Sequence, residues 1–273
     1  MLCVARVKIV LFCNLFNKQV SNLVEFIEVN RVMGVEKFHF YVESAAPSVV
    51  ACLREYVRRG IVDLQPWAMP ADVGRVIYYH GQIMAMNECL YRMMYRTRYL
   101  VIQDLDEFVV PMLGDGWRSI LDAVHSGTAA GGSDRIASYS FRSRFFPIEL
   151  ISKTSISNLS SAAKITEHRF RTLSLTQAGE RLFPHTERSK VMARPERVIV
   201  WHVHVILDSS LVRRGDVNAR VDEKYAQLFH YRHGAGVSKT TAVSRLKEFE
   251  PQILRRLNVA TAAICLTGDY QFP

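Results

Sequence analysis

The sequence predicts an α/β protein, because strand-like and helix-like segments alternate along its first part. Four short runs rich in β-branched and apolar residues have the length of strands, at 7–13, 37–43, 62–64 and 100–102. Between them lie three segments with apolar residues at helical spacing, at 22–34, 47–60 and 81–96. Strands and helices that alternate with short links are typical of βαβ units. A chain of 273 residues is long enough to form one large domain of this class.

The ends of the helices carry the expected signals. Asn22 with Glu25 three residues later resembles a capping box, and Gly34 is suited to end that helix. Pro47 is suited to the first turn of the second helix, and Gly60 to its end. After residue 111 the pattern is looser. There we predict a short helix at 117–124, strands at 136–146 and 198–207, and a last helix at 241–256. The segment at 149–188 is polar and irregular.

Composition and charge narrow the class of protein. The composition, with 49% hydrophobic and 22% charged residues, is that of an ordinary globular protein. A formal net charge of +9 favours anionic ligands. The basic residues are spread along the chain without a dense aromatic-interleaved tract, so nucleic acid is not indicated. The apolar start, Met1–Phe16, is broken by Arg6, Lys8 and Asn14 and falls short of the ~20 apolar residues of a spanning helix. The five cysteines match no zinc spacing.

The most informative motif follows the predicted strand at 100–102. Asp104 and Asp106 are two positions apart, so in extended chain both carboxylates point to the same side and can converge on one cation. Oxygen ligands suit a hard ion, Mg²⁺ or Mn²⁺, which completes its shell with substrate phosphates. The carboxyl end of a buried strand is also where open α/β sheets bind ligands. The alternative is a solvated acidic turn that only closes the strand.

An ordered set of motifs gives the sequence a family resemblance. The set is Asn22–Gly34, Phe38–Tyr41, Tyr79-His80-Gly81-Gln82 with Asn87 and Cys89, Asp104-Leu105-Asp106-Glu107-Phe108 with Pro111, Arg188-Ser189-Lys190 with Arg194-Pro195, the histidines near 204, and His230-Tyr231-Arg232. This set, which covers about residues 20–235, resembles glycosyltransferase family 92. The resemblance implies a GT-A-like, Rossmann-type nucleotide-sugar-binding domain with a mixed central sheet and helices on both faces. It also implies an inverting, β-linking transfer of galactose from UDP-galactose to a glycan, with Mn²⁺ or alternatively Mg²⁺.

The resemblance and the residue chemistry together give candidate site residues. Asp104 and Asp106 are predicted metal ligands, with His204 as the third and His230 as its alternative. The predicted substrate-binding residues are Gln82, Asn87, Asp104, Arg188, Lys190 and Arg232, because amides suit a base or hydroxyls and cations suit phosphates. For Glu107 two roles stay open: it orients a ligand, or it only caps the turn. An inverting enzyme needs a carboxylate base, for which three candidates stay open: Glu149, Glu167 and Asp216.

Organisation and compartment are also expectations from the resemblance. We expect residues 1–273 to form a single domain, with the nucleotide-binding half at about 1–111 and the acceptor-binding half at about 112–273. Family members are usually anchored in the Golgi, so the Golgi lumen is expected if an amino-terminal anchor or signal is missing from this chain.

Two other functions are open alternatives. One is a catalytically silent domain that binds glycans or a partner. The other is a haloacid-dehalogenase-like phosphatase with Asp104 as nucleophile, which the late position of the motif and the following Glu107 disfavour.

Overall fold

A computed structural model describes residues 7–15, 20–67, 70, 76–127, 132–151, 170–204, 212–213 and 215–265. Its helices are α1 (Val20–Val32), α2 (Pro47–Arg58), α3 (Gln82–Met93), α4 (Trp117–Ser126), α5 (Arg171–Ser174) and α6 (Glu250–Cys265). Its strands are β1 (Val7–Leu15), β2 (Val35–Ala45), β3 (Val62–Pro66), β4 (Tyr99–Ile102), β5 (Glu107–Pro111), β6 (Ile136–Phe141), β7 (Ser143–Pro147), β8 (Gln177–Gly179), β9 (Lys190–Ala193), β10 (Val217–Arg220), β11 (Ala226–Arg232) and β12 (Thr240–Ala242).

A seven-stranded sheet forms the centre of the molecule, in the order β10-β6-β9-β4-β1-β2-β3. Strand β1 pairs in parallel with both β2 and β4, and β3 continues the parallel half beyond β2. Strand β9 runs antiparallel between β4 and β6. The sheet is therefore mixed, as predicted, with its parallel half built from the first part of the chain.

Helices cover both faces of this sheet. Along β4, Tyr99 and Val101 belong to one buried cluster, whereas Leu100 and Ile102 belong to another, because alternate residues of a strand point to opposite faces. The first cluster includes the buried sides of α1, α2, α4 and α6, and the second includes that of α3. The predicted α/β class is thus confirmed. No helix in the described ranges is long and apolar enough to cross a membrane.

A second sheet of three strands, β5-β11-β7, adjoins the first at the acidic motif. Strand β5 begins at Glu107, directly after the turn that ends β4, and pairs antiparallel with β11 so that Glu107 lies opposite His230. Strand β7 pairs with the other side of β11, in parallel, with Phe145 opposite His230. The residues 103–106 therefore join two sheets.

Three local predictions differ from the structure. The helix predicted at 241–256 begins at Glu250, after β12 and a 3₁₀ turn at Arg245–Phe249. The segment predicted as one strand at 136–146 is two strands in different sheets, β6 and β7, with Arg142 between them. The strand predicted at 198–207 is absent over 198–204, where Val198 makes only an isolated bridge to Val212, and 205–207 lie outside the described residues. Ile199 and Val200 in that segment are exposed, which shows that β-branched composition alone does not form a strand without a sheet to join.

Candidate functional site

The acidic turn between β4 and β5 is closed by the side chain of Glu107. The Glu107 amide donates to the carbonyl oxygen of Asp104 over 3.1 Å, and the Asp104 amide donates to Oε2 of Glu107 over 3.1 Å. The Glu107 side chain is 2% exposed, whereas those of Asp104 and Asp106 are 45% and 27% exposed. One carboxylate is therefore part of the interior, and the other two reach the surface.

Lys190, the first residue of β9, supplies a buried positive charge to this turn. Its Nζ lies 3.0 Å from Oδ2 of Asp104 and 3.0 Å from Oε2 of Glu107, and the side chain is 1% exposed. Burial alone would lower the pKa of Lys190, but the carboxylates of Asp104 and Glu107 outweigh burial and raise it. Lys190 is therefore charged at neutral pH and neutralises part of the acidic cluster.

His230 faces the turn from β11. Its Nε2 lies 3.7 Å from Oδ2 of Asp106, and its Nδ1 lies 3.4 Å from Oε1 of Glu107. The imidazole packs edge-on against Phe145, with the ring centroids 5.2 Å apart. The next residue, Tyr231, donates its amide to the carbonyl oxygen of Asp106 over 2.8 Å. Strand β11 thus fixes both the backbone of Asp106 and the imidazole beside it.

The turn is also held from the opposite side, by α1 and α5. Arg171 donates through Nη2 to the carbonyl oxygen of Leu105 over 2.7 Å, and through Nε to Oε2 of Glu25 over 3.1 Å. Glu25 is fully buried, and its Oε1 also accepts hydrogen bonds of 2.7 Å from the amide and the hydroxyl of Thr172. Burial raises the pKa of Glu25, although Arg171 and Thr172 oppose that shift. The carbonyl groups of all three residues 104–106 therefore have defined donors.

Two arginines lie beside His230 on one aromatic ring. The guanidinium carbons of Arg188 and Arg232 are 5.4 Å and 5.1 Å from the centroid of the Phe145 ring. Neither arginine has a carboxylate partner in the part of the chain that the structure describes. Arg188 has a φ of 54°, in the left-handed region that few residues other than glycine adopt. Two unpaired positive charges are thus oriented next to the acidic turn.

His204 lies on the Lys190 side of the site. It is half-buried, and its Nδ1 is 3.3 Å from the carbonyl oxygen of Ser189. Burial, followed by the charge of Lys190, lowers the pKa of His204, so its imidazole is neutral at pH 7. A neutral imidazole with Nδ1 turned to a carbonyl leaves Nε2 free to act as a ligand. Its role as the third metal ligand stays a prediction.

The two residues of α3 that are predicted to bind substrate, Gln82 and Asn87, lie in different surroundings. The Asn87 amide is bonded on both sides to backbone, because Nδ2 donates to the carbonyl oxygens of Ile83 and Trp201 over 2.8 Å and 2.9 Å, and Oδ1 accepts from the Trp201 amide over 2.8 Å. Gln82 is the first residue of α3 and is partly exposed. Asn87 therefore fixes the 199–204 segment to α3, and substrate contact by either residue stays a prediction.

The candidate bases lie in different places. Glu149 follows β7, where its Oε1 accepts a hydrogen bond of 2.6 Å from the Gly234 amide just beyond β11. Asp216 precedes β10 and pairs with Arg197 over 2.7 Å, at the end of the sheet where β6 begins. Lys190 lies opposite the last residue of β6, so Asp216 is at the far edge from the acidic turn. Glu167 lies outside the described residues.

The residues of the turn fit a hard divalent ion with an open coordination shell. Among the residues that the structure describes, no group of three or more His, Cys, Asp or Glu side chains is arranged to hold a metal ion. Mg²⁺ and Mn²⁺ need only one or two protein ligands when substrate phosphates complete the shell. Asp106 and His230 offer such a pair. The buried Nδ1 of His230 has no hydrogen bond and faces Glu107, which is the placement of a carboxylate that supports a metal-bound imidazole.

Comparison with known proteins assigns the chain to a class. The chain is a glycosyltransferase and belongs to glycosyltransferase family 92, whose model matches residues 9–261. It is 33% identical over 95 residues to beta-1,4-galactosyltransferase galt-1 of Caenorhabditis elegans, a segment that covers 34% of this chain and 22% of that protein. It is 24% identical over 107 residues to the family 92 protein F13G3.3 of the same organism, which covers 36% of this chain and 21% of that protein. The matched segments thus span about a fifth of the length of these two relatives.

Two solved structures are similar over most of the chain. One is glucosyl-3-phosphoglycerate synthase from Mycobacterium tuberculosis in complex with Mn²⁺, UDP-glucose and phosphoglyceric acid, with a TM-score of 0.39 and 12% identity over 97% of this chain and 81% of that chain. The other is S. aureus TarS 1-349 in complex with UDP-GlcNAc, with a TM-score of 0.45 and 10% identity over 97% of this chain and 68% of that chain.

Proposed function

We propose that this chain transfers galactose from UDP-galactose to a glycan acceptor, with inversion and a β linkage, in a reaction that needs a divalent metal ion. Membership of family 92 and the partial similarity to a beta-1,4-galactosyltransferase support the choice of sugar. The observation that carries the proposal is the convergence of Asp106, His230 and two unpaired arginines at one end of the sheet.

In this proposal Asp106 and His230 hold Mn²⁺ or Mg²⁺, with His204 as the alternative histidine. When bound, such an ion offsets the negative charge that develops on the departing diphosphate. Glu107 orients His230 through its Oε1 and holds Lys190 through its Oε2. Lys190 pairs with Asp104, whereas Asp106 faces His230, so in this proposal the second aspartate shares the ion with the histidine.

The basic residues bind the diphosphate directly. Arg188 and Arg232 can each present two parallel N–H groups to phosphate oxygens, since a guanidinium stacked on a ring keeps its edge free. Phe145 positions both of them and His230, so it is a positioning residue. Charge-assisted hydrogen bonds of this kind are about twice as strong as neutral ones, and they suit a leaving group that gains charge.

Glu149 is our candidate for the base that accepts the proton of the acceptor hydroxyl. It lies beyond the end of the two strands that carry Phe145, His230 and Arg232. The hydrogen bond from the Gly234 amide lowers the pKa of Glu149, so the carboxylate is ionised at neutral pH, and the same shift makes it a weaker base than an ordinary glutamate. Residues 1–111 would then form the nucleotide-binding half, to which Arg188, His230 and Arg232 add contacts with the diphosphate and the ion, and the rest of 112–273 would bind the acceptor. Family resemblance alone supports a Golgi location.

The test is donor turnover by the purified chain. We would incubate it with a panel of UDP-sugars and Mn²⁺, with and without chelator, and follow UDP release. We expect release with UDP-galactose that is lost with chelator and falls at least 100-fold in Asp106→Asn. The matched control is Asp122→Asn, an exposed aspartate of α4, which should behave as wild type. Equal activity in Asp106→Asn would overturn the metal role, and UDP binding without turnover of any donor would indicate a silent binding domain.

A further inference from the structure

A cavity lies near the acidic turn, at the end of the central sheet where β6 and β10 end. It has a volume of about 230 Å³ and is lined by Arg142, Pro184, His185, Thr186, Arg220 and Glu223. Arg220 lies beside Ser140 in the pairing of β10 with β6, and Phe141 lies opposite Lys190 in the pairing of β6 with β9. At about 5 Å per strand, the cavity is roughly 10 Å from Lys190, which contacts the acidic turn.

The wall of this cavity is fixed by Arg142. Its Nε and Nη2 donate to the carbonyl oxygens of Phe183 and Leu182, each over 3.0 Å. Its Nη1 pairs with Oε2 of Glu223, also over 3.0 Å. Every guanidinium nitrogen of Arg142 thus has an acceptor, and its charge is balanced by Glu223. Arg142 therefore shapes the cavity without offering a charge to a ligand.

The available charge belongs to Arg220. This side chain is exposed, and within the described ranges it has no ion pair and no hydrogen bond. Beside it, Nδ1 of His185 is 3.2 Å from the hydroxyl of Ser140. Burial, and then the charges of Arg142 and Arg220, lower the pKa of His185, so its imidazole is a neutral hydrogen-bonding group. The cavity thus combines one unpaired cation with neutral polar groups.

We propose that this cavity binds an anionic group, a carboxylate or a phosphate, carried by the acceptor. One free guanidinium with a neighbouring imidazole and the Thr186 hydroxyl matches one such group, and Glu223 is kept from repelling it by its pair with Arg142. Placing the group on the acceptor rests on the proposed function. The position supports it, because the cavity lies at the β10 edge of the central sheet, on the far side of β9 from the parallel strands β4-β1-β2-β3.

The binding test uses three probes with the whole chain: sodium glucuronate, methyl glucuronate ester and inorganic phosphate. Each is measured by titration calorimetry with Mn²⁺, first without UDP and then with saturating UDP. We expect glucuronate and phosphate to bind and the uncharged ester to bind at least tenfold more weakly. Arg220→Gln should weaken glucuronate and phosphate about tenfold. The matched control is Arg118→Gln, an exposed arginine on α4 that should bind as wild type.

The outcomes separate this proposal from the function on which it rests. Equal binding of the acid and the ester, or no effect of Arg220→Gln, would overturn the assignment of this cavity as an anion site. Displacement of glucuronate and phosphate by UDP would also overturn it, because the anions would then occupy the diphosphate site of Arg188 and Arg232. If no UDP-sugar is turned over but glucuronate binding still depends on Arg220, the proposed function is overturned and the anion site stands.

Discussion

Arg171 donates a hydrogen bond of 2.7 Å to the carbonyl oxygen of Leu105, the residue between the two aspartates of the acidic turn. The same guanidinium is bonded to the buried carboxylate of Glu25 in α1. A helix on one face of the central sheet therefore controls the backbone between two candidate ligands. Arg171 has no contact with a reacting group in this arrangement, so it is a positioning residue.

Replacing Arg171 tests this relationship. In Arg171→Met, the Glu25 carboxylate would stay buried without its cation, and we expect the free energy of unfolding to fall by about 3–5 kcal/mol. Loss of the donor to Leu105 would let the turn shift, and a shift near 1 Å can lower the rate about 100-fold. Urea denaturation gives the first quantity. Separate kcat and KM values for UDP-galactose give the second, and kcat should account for most of the loss.

A double variant distinguishes stability from positioning. In Glu25→Gln/Arg171→Met no charge is left alone in the interior, so part of the stability should return. Activity should not return, because Leu105 still lacks its donor. If the double variant recovers activity together with stability, the turn does not depend on Arg171.

The buried ammonium of Lys190 gives a second prediction. Lys190→Met removes the cation between Asp104 and Glu107, and the fully buried Glu107 should then cost about 3–5 kcal/mol of unfolding free energy. Lys190→Met/Glu107→Gln should be more stable than the single variant, since a neutral amide tolerates burial better. Thermal or urea unfolding of both variants measures the difference. A single variant as stable as wild type would show that the pair contributes nothing to folding.

Asn87 gives a third prediction. Its amide is bonded to the backbone of Trp201 in both directions, and Asn87→Ala would leave that amide and carbonyl without partners. We expect a loss of about 1–3 kcal/mol in unfolding free energy. Met84→Ala, at an exposed position of the same helix, controls for effects on the helix itself. If Asn87→Ala keeps wild-type stability but raises the KM for donor, its function is substrate contact and not support of Trp201.

The parallel half of the fold could be predicted from sequence because its signals are local. Strand composition, helical spacing and the Gly and Pro residues at 34, 47 and 60 act within each segment, and β1 to β4 with their helices follow them. Asp104 and Asp106 could be found for the same reason, since their spacing and the preceding strand are adjacent in the chain.

The rest of the site depends on contacts between distant residues, which no local pattern encodes. Glu25 was predicted to cap a helix beginning at Asn22, but α1 begins at Val20 and Glu25 is a buried acceptor for Arg171. Phe145 has no signal as the ring that orients two arginines and a histidine. A buried carboxylate such as Glu25 is recognisable only once its partners are known, because a charge in the interior must be paired.

The last prediction concerns pH. His125 is half-buried, with Nε2 2.7 Å from the hydroxyl of Tyr139. Burial, and then the charges of Arg194 and Arg98, lower the pKa of His125 below its ordinary value of 6.5. As the pH falls through 6.5, the unfolded imidazole takes up a proton before the folded one does. The unfolded state then binds more protons, so the free energy of unfolding decreases as the pH is lowered through this window.

We therefore expect the urea midpoint of the wild type to be lower at pH 5.5 than at pH 7.5. In His125→Gln this difference should be smaller, because the side chain no longer titrates, although other half-buried histidines still contribute. Arg118→Gln, at an exposed position of the same helix, should keep the full wild-type difference. An unchanged difference in His125→Gln would mean that this imidazole can be protonated in the folded state as readily as in the unfolded state, and burial against Tyr139 would then not be what holds it neutral.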